Sequence, residues 1–196
     1  MSGLREGTNT VSVGSQVDDA VRKLSQNRFE DAVIAASVAL SATARLEYPT
    51  DHDKAACRKF LEQNLPIISK IGWVSFGVSQ PMNFRYRRLD RRAHAVGVRT
   101  MPEMLYDVVR CTALHEARLP DNLRFTDEPV IQTGSDGELV LPIDVIYGLL
   151  IAVVASPKNA DEEAGGDPTF SFGGKRIRLN EMWGKRDKVA AFIGIE

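Results

Sequence analysis

The sequence has little cysteine and no long hydrophobic run. Cys57 and Cys111 are far apart and outside any CxxC spacing, so neither a disulfide framework nor a cysteine metal cage is expected. The longest apolar run, residues 145–155, ends at Ser156. A run of that length is too short to cross a bilayer and is typical of a buried helix. We therefore predict a cytoplasmic protein without membrane association.

Motifs for targeting, phosphate loops and metal ions are also missing. Residues 1–15 are polar and rich in Gly, Ser and Thr, which predicts a flexible leader and not a signal peptide. No G-x-x-x-x-G-K-[ST] pattern and no metal-ligand spacing occurs, so we predict neither a cofactor nor a metal. A composition of 43% hydrophobic and 26% charged residues, with a net charge of −1, is typical of a soluble globular domain.

Helical periodicity accounts for most of the chain. Pro and Gly residues in 66–83 predict a connecting segment that can include one or two further helical turns, and Gly-rich turns predict two β-hairpins. The predicted helices are 16–46, a second helix that Asp51 or Asp53 caps and that ends near Leu65, 103–118, 144–156 and 181–193. The predicted hairpin strands are 130–133 with 138–141 and 169–172 with 175–179. The third helix begins at a capping box formed by Thr100 and Glu103.

These elements predict a mainly α fold, an antiparallel helical bundle with one or two small β-hairpins. Three parts are expected along the chain. Residues 1–15 are the leader, and residues 16–157 are the bundle with its inserted hairpin. Residues 158–196 are a C-terminal hairpin and helix that pack on the same domain.

Positive charge is concentrated in residues 84–99, which carry six arginines and Asp90. Such a segment can follow a phosphate backbone, and its interleaved Phe84 and Tyr86 can stack on bases. The alternative is a solvated loop or helix face whose arginines pair with the acidic residues 161–167. The candidate nucleic-acid-binding residues are Arg85, Arg87, Arg88, Arg91 and Arg92.

The motif helix carries Arg110 and His115. Five residues on a helix separate two side chains by about 140°, so the pair does not stack within one helix. His115 continues the stripe of Met104 and Val108, and it needs a partner inside the fold or in a second chain. In the structural interpretation, His115 ends a core stripe and Arg110 pairs with an acid on its own helix.

An Arg, four intervening residues and a His on a late helix resemble the signature of HEPN-domain proteins, with the sequence Arg110-Cys-Thr-Ala-Leu-His115. That resemblance covers residues 16–157. It implies a helical bundle and a homodimeric, metal-independent RNA endonuclease of the kind found in toxin–antitoxin and phage-defence systems. Arg110 would bind the scissile phosphate and His115 would act as general acid or base.

One position departs from the family pattern. Active HEPN members commonly carry a polar residue just after the arginine, where this chain has Cys111. The resemblance therefore also admits a non-catalytic relative. Two functions follow as hypotheses: an RNA endonuclease that is a homodimer, with an antitoxin or regulatory protein as a further partner, or a non-catalytic helical module that binds nucleic acid or protein.

Overall fold

The computed structural model describes residues 12–73, 83–87, 89, 96–114 and 119–195, with only the backbone for 110–114. The α-helices are α1 (Val13–Ser25), α2 (Phe29–Glu47), α3 (Asp53–Gly72), α4 (Met101–Leu114), α5 (Asp144–Ala155) and α6 (Arg186–Ile193). The strands are β1 (Asn83–Arg87), β2 (Val96–Thr100), β3 (Leu123–Thr126), β4 (Gln132–Thr133), β5 (Leu139–Pro142), β6 (Thr169–Phe172) and β7 (Lys175–Arg178).

The predicted mainly α bundle is wrong, because these residues form a mixed α and β structure. Six α-helices are accompanied by three small sheets in the described ranges. The first sheet pairs β1 with β2, the second has the order β3-β5-β4, and the third pairs β6 with β7. The sheet of β1 and β2 and the parallel pairing of β3 with β5 were not predicted.

The predicted helix 16–46 is in fact two helices, α1 and α2. The break falls at residues 26–28, where Asn27 has a φ of 58°. Asparagine tolerates this left-handed conformation better than most residues, and it stops α1 while the chain reverses. The many alanines of α2 are buried and allow α1, α3, α4 and α5 to pack around it.

Helix α3 continues through Pro66 to Gly72, so the predicted end near Leu65 is wrong. A proline inside a helix removes one backbone hydrogen bond. Burial of Ile67, Ile68 and Ile71 against the rest of the core offsets that loss. Tertiary packing therefore overrides the local signal that the proline provides.

Helix α5 is buried in the core, as its apolar sequence predicts. Ten of its residues are buried, and it crosses α3 at very short distance. A Cβ added to Gly148 would lie 2.8 Å from the carbonyl oxygen of Ile68, and one added to Gly72 would lie 3.0 Å from the Cα of Val145. The two glycines thus let the helix backbones touch.

Both predicted hairpins are present. Gly173 and Gly174 form the turn of the C-terminal one with φ of 56° and 77°, the positive pair that a two-residue type I′ turn requires. In that hairpin Ile177 is partly buried while Arg176 and Arg178 are exposed, as alternation predicts. The other hairpin, β4 with β5, gains β3 as a parallel neighbour of β5.

The predicted start of α4 is confirmed by its capping contacts. The carboxylate of Glu103 accepts a hydrogen bond from the Thr100 backbone amide at 3.1 Å and one from the Thr100 hydroxyl at 3.2 Å. These bonds favour the charged carboxylate and hold the pKa of Glu103 below its ordinary value of 4.5. The side chain of Arg58 lies 3.4 Å from the same carboxylate.

Replacement of Glu103 by glutamine is expected to reduce stability in a pH-dependent way. Because the folded-state pKa is lowered, the stabilisation is present above pH 4.5 and is lost as the pH falls through the folded value. Urea unfolding across that range should show the two proteins converging in acid. Glu62→Gln, on the exposed face of α3, is the control and should show no such convergence.

Within the described ranges, no helix is long and apolar enough to cross a membrane. The same residues contain no group of three or more His, Cys, Asp or Glu side chains arranged to hold a metal ion.

Candidate functional site

The basic stretch forms a two-stranded antiparallel hairpin, which we call the basic hairpin (residues 83–87 and 96–100). Its inner face carries Phe84 and Tyr86, which are 6% and 1% exposed. The Tyr86 hydroxyl donates a hydrogen bond to Asp107 of α4 at 2.8 Å. Arg99 lies on the same face, 3.9 Å from that carboxylate. Asp107 therefore ties the hairpin to α4.

The outer face of the basic hairpin carries arginine and valine. Arg85 lies opposite Val98, and Arg87 lies opposite Val96. Val98 and Val96 are 58% and 45% exposed, large fractions for apolar side chains. Arg85 is exposed and Arg87 half-buried, and among the described residues neither guanidinium has an acidic partner. The outer face thus carries two positive charges on β1 and two exposed valines beside them on β2.

The far end of β1 is attached to the turn between β4 and β5. The Arg87 backbone amide donates to the Gly137 carbonyl at 2.9 Å. The amide side chain of Asn122, which is buried, donates to the Arg87 carbonyl at 2.7 Å. With the contact to Asp107 of α4, these bonds attach the basic hairpin to the rest of the chain at two places.

The structure brings together only some of the predicted nucleic-acid-binding residues. Arg85 and Arg87 share one face of a strand. Arg88, Arg91 and Arg92 lie outside the described residues, in the connection from β1 to β2. The predicted stacking of bases on Phe84 and Tyr86 is wrong, because both rings are buried beneath the hairpin.

The predicted catalytic residues are not brought together by any described contact. Arg110 belongs to α4, but its side chain is outside the described part, and so is the whole of His115. The apolar stripe of Met104 and Val108 is fully buried inside this chain, where α4 packs on α2 and α3. At Met104 and Val108 the stripe is therefore part of the core of this chain. These two residues are not available to a second chain, so they do not support a dimer interface on this face of α4.

A second candidate site is a cavity of about 240 Å³, which we call the acid pocket. It lies at the carboxyl ends of the parallel strands β3 and β5, where Asp127 follows one strand and Asp144 opens α5 just after the other. The Ile143 amide donates to the Thr126 carbonyl at 2.9 Å and closes this edge. The remaining lining residues are Leu24, Asn27, Phe29 and Tyr147.

The electrostatics of the acid pocket are unusual. Partial burial raises the pKa of Asp144, and the charge of Asp127 raises it further. Burial also raises the pKa of Tyr147, with Asp144 adding to that shift. In the described residues, no cationic side chain pairs with Asp127 or Asp144. Two carboxylates thus repel each other without a counter-charge from the chain.

Sequence reasoning missed the acid pocket. The only local sign of the pocket is that Asp127 and Asp144 each follow a short apolar segment in the sequence. Their proximity depends on the parallel pairing of β3 with β5, a contact between segments separated by β4 that no periodicity predicts. Asn27 joins them from the turn between α1 and α2, which was predicted as the middle of a helix.

A family model described as Rv1289 matches residues 12–196. The relatives named Uncharacterized protein Rv1289, of Mycobacterium tuberculosis, and Uncharacterized protein Mb1320, of Mycobacterium bovis, are each 24% identical to this chain over 201 residues. Each match covers 95% of this chain and 90% of the relative. No solved structure matches the chain. The matching model is not HEPN, so the resemblance inferred from Arg110 and His115 is wrong.

Proposed function

This chain belongs to the Rv1289 family, and we propose that it is a non-catalytic module that binds RNA through the outer face of its basic hairpin. One observation carries the proposal: Arg85 and Arg87 project from the same exposed face, with no acidic partner among the described residues. Arginines without an acidic partner are suited to phosphate, which a guanidinium binds bidentately.

The spacing of the two arginines fits a phosphate backbone. Alternate residues of a strand lie about 7 Å apart on one face. Two guanidinium groups at that distance can reach successive phosphates of one nucleic-acid strand. Val96 and Val98 lie opposite Arg87 and Arg85 and offer apolar contact to the sugars between those phosphates. The interface reads the backbone and not the bases, since the aromatic residues are buried.

The connection between β1 and β2 is expected to extend this positive surface. It contains Arg88, Arg91 and Arg92 and one acid, Asp90, in the sequence. The whole chain has a net charge of −1, so attraction of a polyanion depends on this local concentration of arginine. We propose that the protein acts in the cytoplasm with an RNA ligand, and that an antitoxin or regulatory protein is a further candidate partner.

RNA binding is tested by fluorescence anisotropy of a labelled single-stranded RNA titrated with the full chain at several salt concentrations. The expected result is binding that weakens as salt rises, with a slope of about 0.7 for each phosphate contact. An unlabelled acidic peptide of equal charge is the competitor. If the RNA does not bind at low salt, or if the peptide competes equally well, the proposal is wrong.

A non-catalytic module should leave RNA intact. We expect the labelled RNA to remain full length after long incubation, with or without EDTA. Cleavage that survives EDTA, leaves 2′,3′-cyclic phosphate ends and disappears in Arg110→Ala and His115→Ala would contradict this expectation. It would assign the roles of phosphate binding and acid–base catalysis to those two residues, since a positioned His contributes about 10²–10⁴-fold.

Oligomeric state is a separate proposal. We propose a homodimer because exposed apolar side chains favour association, and Val96 and Val98 on the outer face of the basic hairpin supply them here. Light scattering of the full chain with and without RNA tests whether RNA binding and self-association use the same face. If RNA and self-association share it, RNA should dissociate the dimer.

A further inference from the structure

The whole outer face of the basic hairpin has a defined set of side chains, three from each strand. Along β1 these are Asn83, Arg85 and Arg87, and the residues opposite them on β2 are Thr100, Val98 and Val96. All of them are exposed except Arg87, which is half-buried. The face therefore combines an amide, two guanidinium groups and three side chains with methyl groups, and it contains no acid.

These residue types are the ones that read base edges in the major groove of B-form DNA. Arginine binds guanine with two hydrogen bonds, asparagine binds adenine in the same way, and apolar side chains contact the methyl group of thymine. Acidic side chains, which read cytosine, do not occur on this face. The strand β1 thus offers contacts to purines, and β2 offers contacts to thymine methyl groups.

The shape of the basic hairpin also fits this groove. The major groove of B-form DNA is about 12 Å wide and admits a two-stranded β-ribbon, as in DNA-binding proteins that read sequence with strands. Alternate residues of a strand are about 7 Å apart, close to the roughly 6.8 Å of two base-pair steps. Arg85 and Arg87 can therefore reach guanines that are two base pairs apart.

We propose that the basic hairpin also binds duplex DNA, by entering the major groove as a β-ribbon. Its arginines bind guanine edges, and Val96 and Val98, which are 45% and 58% exposed, pack against thymine methyl groups. This inference goes beyond RNA binding. In single-stranded RNA the arginines contact successive phosphates, whereas in the DNA groove the same side chains contact bases.

One end of the ribbon is better placed than the other for this contact. At Arg87 the hairpin is bordered by the turn between β4 and β5, because the Arg87 amide donates to the Gly137 carbonyl at 2.9 Å. Arg85 and Val98 face each other farther along the ribbon from that turn. We therefore expect these two residues to make the central base contacts.

Fluorescence anisotropy of the full chain with three labelled DNA duplexes tests the proposal. The first duplex alternates guanine and thymine along one strand, so a guanine occurs at every second base pair. The second has uracil in place of thymine, which removes the methyl group, and we expect affinity to fall about fourfold, as for one methyl group that is no longer buried. The third has 7-deazaguanine in place of guanine, which removes the N7 acceptor. We expect a fall of at least about fivefold, because a bidentate base contact contributes that much or more.

The same assay can contradict the proposal in three ways. Equal affinity for the three duplexes would mean that the hairpin contacts only the DNA backbone. An RNA duplex of matching sequence should bind more weakly, because the major groove of A-form RNA is too narrow for side chains to read, so equal binding of that duplex would also overturn the proposal. Absence of duplex DNA binding, with single-stranded RNA still bound, would overturn it and leave the RNA proposal standing. Base discrimination on DNA without RNA binding would instead mean that only the RNA proposal is wrong.

Val98→Ala and Arg85→Ala assign the two central contacts. We expect Val98→Ala to remove the preference for thymine over uracil, and Arg85→Ala to remove the preference for guanine over 7-deazaguanine. Val130→Ala and Arg176→Ala, at exposed positions outside the basic hairpin, are the matched controls and should keep both preferences. Each preference is a ratio of two affinities, so a general loss of stability does not imitate the result. Unchanged preferences in both hairpin variants would place the DNA elsewhere and contradict the assignment.

Discussion

Replacement of Arg85 and Arg87 by glutamate is expected to abolish most RNA binding. Both side chains project from the outer face of the basic hairpin, and neither has an acidic partner in the described residues. Each lost phosphate contact should lower the salt slope by about 0.7 for a single strand. Charge reversal adds repulsion, so affinity at low salt should fall by at least about tenfold, since one lost charged hydrogen bond is worth about that much.

The second hairpin provides a matched control for that experiment. Lys175 and Arg176 are also exposed on a short antiparallel pair, β6 with β7, and Lys175→Glu/Arg176→Glu changes the net charge by the same amount. Anisotropy should show that this variant binds RNA nearly as tightly as the parent. Equal losses in both double variants would mean that overall charge, and not the basic hairpin, determines binding. Circular dichroism should show both variants folded.

The hairpin variant is expected to fold because neither arginine supports the structure through its side chain. The contacts that hold the hairpin are the Arg87 backbone bonds to Gly137 and Asn122 and the contact of Tyr86 with Asp107. None of these is removed by the substitutions. A binding loss without a stability loss is thus the pattern that identifies an interface.

Gly148→Val is expected to destabilise the protein more than any surface change proposed above. A Cβ at this position would lie 2.8 Å from the Ile68 carbonyl oxygen and 3.1 Å from the Ile68 Cα, so the obstacle is backbone. Because backbone cannot rotate away, α3 and α5 must separate and the surrounding core must repack. Overpacking of a core costs roughly 1–3 kcal/mol and at times more; we expect a loss of about 3 kcal/mol.

Thermal unfolding followed by circular dichroism measures the loss. In a domain of this size each kcal/mol corresponds to about 2–4 °C in melting temperature. Gly97→Ala is the control, because a Cβ there meets only the movable end of Arg99 at 3.5 Å. If Gly148→Val melts with the parent, the close crossing of α3 and α5 is not the packing that holds the core.

Local patterns were sufficient to predict the start of α4 and the turn of the C-terminal hairpin. Thr100 and Glu103 interact within four residues, and Gly173 with Gly174 specifies a type I′ turn. The strand at residues 83–87 also alternates buried and exposed residues. Its arginines drew attention to charge, so the strand was recognised only once the structure showed which face is buried. Two local predictions were wrong in opposite ways. Pro66 was predicted to end a helix, but core packing lets α3 continue through it. Asn27 was predicted inside a helix, but a backbone reversal ends α1 before it.

The sequence by itself determined the buried helix α5, the capped start of α4 and the local excess of arginine in residues 84–99, because each depends on neighbours in the chain. Only the tertiary structure decided that Phe84 and Tyr86 face inward, that Met104 and Val108 belong to the core, and that Asp127 and Asp144 line one cavity. These arrangements depend on contacts between distant segments, above all the parallel pairing of β3 with β5. Such contacts depend on the energetics of the whole packed core, so no local window of sequence contains them.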